Sequence, residues 1–106
     1  MAWGYLFLAG CLEIVWAVGL KYTEGFTKLT PTIVTLVAMA GSMALLGLAL
    51  RNLPLGTAYA IWTGIGTVGT AVAGMIWLGE PSGALRLMCI ALIVVGILGL
   101  KLLTPT

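Results

Sequence analysis

Long apolar runs alternate with short polar breaks along the chain, and the breaks leave four runs. Residues 3–20 are apolar or small except for Glu13, and residues 31–50 carry no charge. Residues 52–79 are also uncharged, with Pro54 and Gly56 marking their start, and residues 87–100 form the fourth run. A helix needs about 20 residues to cross the hydrocarbon core of a bilayer. The first three runs have that reach. The fourth has 14 residues and reaches it when Arg86 and Lys101 extend their charged ends outward. A β-barrel requires alternating strands of about 10 residues, and no such alternation is present. The pattern predicts an all-α membrane protein with a single four-helix transmembrane domain over 1–106 and helices at about 3–20, 31–50, 55–78 and 85–103.

The connections are tight. Residues 21–30 (KYTEGFTKLT) are the longest, with Gly25 as turn residue and Pro31 suited to the first turn of the next helix. Arg51-Asn52-Leu53-Pro54 joins the second and third helices, and Glu80-Pro81-Ser82-Gly83 the third and fourth. No room is left for a separate soluble domain.

Composition narrows the chemistry. The 106 residues include 3 acidic and 5 basic side chains and no histidine, and 61% are hydrophobic. Charged residues make up 8%, against about a quarter in an average soluble domain, which is too little polar surface for a soluble body of this size. An ordinary soluble enzyme and a disordered tail are excluded. So is a nucleic-acid binder, because a net charge of +2 neutralises few phosphates. Histidine-based metal sites and triads are impossible. Cys11 and Cys89 fall within predicted helices, where an unpaired cysteine serves as a small apolar filler. Leu8-Ala9-Gly10-Cys11 resembles a lipoprotein cleavage box, but residues 1–8 lack a positive stretch and the apolar run continues past Cys11. No cofactor or metal is expected.

Charge does not orient the chain. Arg51 and Lys101 lie on the side of the amino terminus, and Lys21, Lys28 and Arg86 on the other. The excess of one is roughly cancelled by the α-amino group, so the positive-inside rule gives no direction. Either a partner or lipid selects one orientation, or the chain inserts both ways and pairs antiparallel. The second arrangement would supply the inverted symmetry that larger transporters carry as internal repeats.

Glu13 is the acid inside the membrane; Glu24 and Glu80 fall in loops, where solvated charge is unremarkable. An acidic side chain at mid-membrane costs ~2.5 to 3.5 kcal/mol on insertion scales, and its neighbours decide between a structural role and a proton- or cation-binding one. Residues three and four apart share a helix face. Around Glu13 that face holds Leu6, Ala9, Gly10, Trp16, Ala17 and Leu20, whose small members let other backbones approach. The second helix offers a stripe of Thr35, Ala38, Met39 and Ser42, and the third a face of Tyr59, Trp62, Thr63, Gly66 and Thr70. A carboxylate, a hydroxyl, a phenol and two indoles at similar depth suit a cation, since a dry aromatic face attracts one by roughly 2 kcal/mol. Gly64 and Gly66 interrupt the third helix, where glycine serves close packing or a bend between two transport conformations.

The run Glu13-Ile14-Val15-Trp16-Ala17, the segment Leu20-Lys21-Tyr22 with Gly25-Phe26-Thr27-Lys28-Leu29, and Leu53-Pro54-Leu55-Gly56-Thr57-Ala58-Tyr59-Ala60-Ile61-Trp62-Thr63-Gly64-Ile65-Gly66 resemble the small multidrug resistance family over essentially the whole chain. The resemblance implies a dual-topology, antiparallel homodimer in the bacterial inner membrane that exchanges protons for cations. It places the family's membrane glutamate on Glu13 and its third-helix tyrosine and tryptophan on Tyr59 and Trp62. Trp16, Tyr22 and Ser42 resemble the guanidinium-exporting subtype; exporters of bulky quaternary ammonium compounds typically have smaller residues at the position of Trp16 and lack the serine. Guanidinium is a small planar cation that pairs bidentately with carboxylate.

In the expected mechanism, two Glu13 side chains, one per subunit, titrate as a coupled pair, and protons and guanidinium compete for them. Gly10, Trp16, Ser42 and Trp62 line the site or orient the carboxylates, Tyr59 lines the route, and Gly64 and Gly66 form the hinge. The substrate partners are guanidinium or substituted guanidinium and protons. A broader exporter of quaternary ammonium or other hydrophobic cations is the nearest alternative; a small four-helix channel or a regulatory subunit has no need of the buried acid.

Overall fold

A computed structural model describes residues 1–104. They form four α-helices in chain order: α1 Ala2–Tyr22, α2 Leu29–Ala49, α3 Leu55–Trp77 and α4 Ala84–Leu103. There is no strand among the described residues. Each helix has 20 to 23 residues, which gives a length of about 30 Å at roughly 1.5 Å per residue. Each is apolar enough to span a membrane. An α-helix is the form these segments must take in lipid, because it satisfies backbone polar groups within the segment.

The helix ends follow from local chemistry. At the end of α1 the buried Thr23 hydroxyl donates to the Leu20 carbonyl at 2.8 Å and accepts from the Phe26 amide at 3.2 Å. Glu24, Gly25 and Phe26 then turn the chain through positive φ (49°, 73° and 67°). The second helix begins at Leu29, two residues before the predicted start, and this places Pro31 inside its first turn. There the missing proline N–H leaves no intrahelical bond unmade. Pro54 closes the second connection and caps α3. At the other end of α3, Gly79 adopts φ 69°, and the amides of Leu78 and Glu80 both donate to the Gly74 carbonyl, at 3.0 and 3.1 Å.

The first helix packs against both α2 and α3, while α4 packs chiefly against α3. The result is a slab of 43 × 35 × 17 Å. Its tightest part gathers Ala2, Leu6 and Ala9 of α1 with Leu46 and Ala49 of α2, Leu53 of the connection, and Ala58, Ile61 and Trp62 of α3. This core occupies the end of the bundle that holds the amino terminus. The fourth helix has no buried residue. A side of α4 this apolar is stable only against lipid or another protein surface.

Candidate functional site

Small residues and bulky ones alternate across the α1–α3 contact, so the two backbones lie close. A Cβ on Gly10 would sit 2.6 Å from the Ile65 side chain, and one on Gly69 would collide with the Ile14 side chain. Between these two contacts the carboxyl of Glu13 lies directly on Gly66, where any Cβ would overlap it. The helix α3 runs without interruption through Gly64 and Gly66. Gly64 receives Ile97 of α4, 2.8 Å from where its Cβ would stand. Both glycines serve close approach in this conformation.

Glu13 faces a cavity of ≈ 530 Å³ between α1 and α3, lined also by Lys21, Gly66, Thr70, Gly74 and Glu80. Its Oε1 is buried and has no hydrogen-bond partner in the subunit. Three further buried polar atoms are likewise unpartnered: the Nε1 of Trp16, the Oγ1 of Thr35 and the Oγ1 of Thr70, the last of which lines the same cavity. Buried polar atoms are ordinarily paired, and an unpaired one costs about 1–3 kcal/mol. A hydrogen-bonding cation entering this cavity meets carboxylate and hydroxyl acceptors that no protein group has already taken.

Ser42 and Trp62 are brought together one turn from Glu13, at Ala9 of α1. The Ser42 hydroxyl, fully buried, donates to the Ala9 carbonyl at 2.7 Å and accepts from Trp62 Nε1 at 2.9 Å. One serine thereby ties α2 to both α1 and α3. Neither Ser42 nor Trp62 hydrogen-bonds Glu13 within the subunit, because their bonds go to the Ala9 carbonyl, one turn before Glu13, and to each other. Their contribution to the site is to fix the bundle around it. Tyr59 is 54% exposed, and its ring lies 5.5 Å from that of Trp62, tilted by 52°. Trp16 is half-buried and packs against the core near Glu13. A Ser42→Ala variant should lose both bonds and leave the indole N–H unpaired. We expect a loss of about 1–2 kcal/mol of stability, read as a lowered melting temperature in detergent; an unchanged one would remove this role.

Two cavity residues escape a sequence reading. Thr70 shares a face with Gly66, but periodicity does not show whether a hydroxyl is satisfied. Glu80 follows the end of α3 and reads as a loop charge. The structure instead folds its carboxylate back onto Gly74, where an added Cβ would overlap it. The signal was the spacing Gly66-Thr70-Gly74, which runs the bare side of α3 toward Glu80.

Comparison with known proteins agrees with this architecture. The chain matches the family described as Small Multidrug Resistance protein over residues 1–93. It is 60% identical over 104 residues to the "Guanidinium exporter" of Escherichia coli (strain K12), covering 98% of this chain and 99% of that protein. With the "Guanidinium exporter" of Proteus vulgaris it shares 63% identity over 102 residues, 96% of this chain and 98% of the relative. The four apolar helices and these relatives make it a multi-pass protein of the bacterial inner membrane. By the extent of these matches, the chain belongs to the small multidrug resistance family.

Proposed function

We propose that the chain exports guanidinium cations across the bacterial inner membrane in exchange for protons. The observation that carries this reading is Glu13, an acid in a membrane helix whose carboxyl faces a cavity and has a buried oxygen without a partner. Intramembrane acids in such positions mark ion and proton pathways. The cation is assigned by the relatives, which are named guanidinium exporters, and by chemistry. A planar guanidinium fits a carboxylate as a two-pronged donor, and Thr70 offers a further acceptor.

The working unit in this proposal is an antiparallel homodimer. The fourth helix, uncharged from Leu87 to Leu100 and without a buried residue, and the absence of a charge bias between the two sides of the membrane support it. In the dimer two Glu13 side chains share one site, and protons and guanidinium compete for them. Ser42, Trp16 and Trp62 hold the surroundings of the carboxylates, and Tyr59 lines the route. The Glu13 cavity, which runs from mid-membrane toward Glu80, supports a subunit whose site is reached from one side at a time. Alternating access follows when the two subunits exchange conformations, with Gly64 and Gly66 absorbing the change in α3. The symmetry of the dimer makes the two states equal in energy.

The test is transport by purified protein in liposomes. An outward guanidinium gradient should drive protons inward without any imposed pH difference. Guanidinium and methylguanidinium should produce saturable currents on a solid-supported membrane, and tetraethylammonium should not. Equal currents with tetraethylammonium would favour the broader multidrug reading.

A further inference from the structure

The cavity at Glu13 has a second carboxylate at its mouth, and the export mechanism above makes no use of it. Glu80 lies just beyond Gly79, where α3 ends, and lines the same cavity as Glu13. Its backbone amide is fixed on the Gly74 carbonyl at 3.1 Å. Its carboxylate rests on the Cα of Gly74, in space that any side chain at that position would fill. A loop glutamate free to extend into water has no need of such a cradle.

The charges around it leave it unclaimed. Lys21 of α1 lines the same cavity, and Arg86 of α4 lines an adjoining one of ≈ 290 Å³ together with Glu80. Among the described residues the salt bridge present is that of Lys28 with Glu24, at 3.4 Å in the first connection. Glu80 pairs with neither flanking cation. Between Glu80 and Glu13 the wall of the cavity is the face Gly66, Thr70, Gly74 of α3, with one residue per turn. Two of these positions are bare, and the third presents a buried hydroxyl oxygen that has no partner. The path is therefore floored by backbone, begins and ends on a carboxylate, and has an acceptor midway.

We infer that Glu80 is a second cation-binding site, which captures guanidinium at the mouth of the cavity and hands it by way of Thr70 to Glu13. The inference rests on the export reading and adds to it a place where the cation is held first. Glu80 is exposed to water, so its pairing with guanidinium is screened and weak. Weak capture suits a waiting site, since a cation held tightly there would not move on. The fork of guanidinium binds a carboxylate with two parallel bonds, which lets it compete with the flexible ammonium of Lys21.

The experiment is guanidinium transport in proteoliposomes by wild type, Glu80→Gln, Glu80→Asp, Gly74→Ala and the double variant Gly74→Ala with Glu80→Gln. Removing the charge should raise KM about three- to fivefold, with the loss in KM rather than in kcat. Wild type should lose affinity as ionic strength rises, and Glu80→Gln should lose less. Glu80→Asp, which keeps the charge, should restore most of the affinity. Gly74→Ala displaces the carboxylate without removing it, so it should reproduce the change in KM, and the double variant should be no worse than either single one. An unchanged KM in Glu80→Gln, or a fall in kcat alone, overturns the inference while leaving export intact. Wild type that moves no guanidinium overturns the export reading itself, and this is seen before any variant is compared.

Discussion

Glu13→Gln should reduce proton-coupled guanidinium uptake to the level of empty liposomes while the protein still inserts and folds. The substitution keeps the shape of the side chain and removes its ability to carry charge or to exchange a proton. Folding should survive because the carboxyl makes no hydrogen bond inside the subunit that an amide would have to replace. Insertion should be no harder, since the neutral amide lacks the ~2.5 to 3.5 kcal/mol penalty of an acidic side chain at mid-membrane. Purified variant and wild type should therefore give matching elution profiles and helix content, and differ in transport. Protonation of Glu13 has the same sense as the substitution. Lowering the pH on the binding side should raise the apparent KM for guanidinium, because protons occupy the groups the cation needs. Uptake persisting in Glu13→Gln would remove the carboxyl from the mechanism.

Gly66→Ala should be nearly as damaging although it leaves the acid in place. The added Cβ overlaps the Glu13 carboxyl, so one of two things must give. Either the carboxylate swings away from its position in the cavity, or α1 and α3 move apart. The second course is resisted, because the contacts of Gly10 with Ile65 and of Gly69 with Ile14 lock the helices on each side of it. Displacement of the carboxylate is therefore the cheaper outcome. A shift of about 1 Å in a binding group costs on the order of a hundredfold in rate, and guanidinium transport should fall by about that factor. Alanine at Gly4, whose added Cβ meets nothing within 4 Å, is the matched control and should transport as wild type does. Wild-type transport by Gly66→Ala would show that this contact does not set the geometry of the site.

Much of the fold is legible in the sequence, for a physical reason. A bilayer imposes one length and one composition on every segment that crosses it, so the charge breaks locate the helices to within a few residues. Even α4, whose uncharged stretch is too short, gains its length by including Arg86 and Lys101 within Ala84–Leu103; the Lys101 ammonium lies over the Trp3 ring at 5.0 Å. The face of α1 that carries Glu13 is also legible, because helical spacing alone groups it with Ala9 and Gly10.

What each polar group bonds to is not legible in this way. Spacing places Ser42 and Trp62 at a depth similar to that of Glu13 and suggests that they orient it. In the subunit they bond instead to each other and to the Ala9 backbone. That choice depends on how α2 is rotated against α1, which periodicity does not encode. Glu80 is a parallel case. It opens the break Glu80-Pro81-Ser82-Gly83 and reads as a solvated loop charge, yet the reversal at Gly79 turns it back along α3. The two glutamates that share the cavity are 67 positions apart in the numbering, and tertiary packing brings them to one wall.

The central claim is that guanidinium and protons move in opposite directions through one site. Its most direct test is proton movement in liposomes loaded with guanidinium and containing the purified wild-type protein, with equal pH on both sides at the start. Guanidinium leaving down its gradient should acidify the interior. The acidification should saturate with guanidinium concentration and be absent from liposomes carrying Glu13→Gln. Guanidinium efflux with no accompanying proton entry, or proton entry unaffected by removal of the Glu13 carboxyl, would contradict the account.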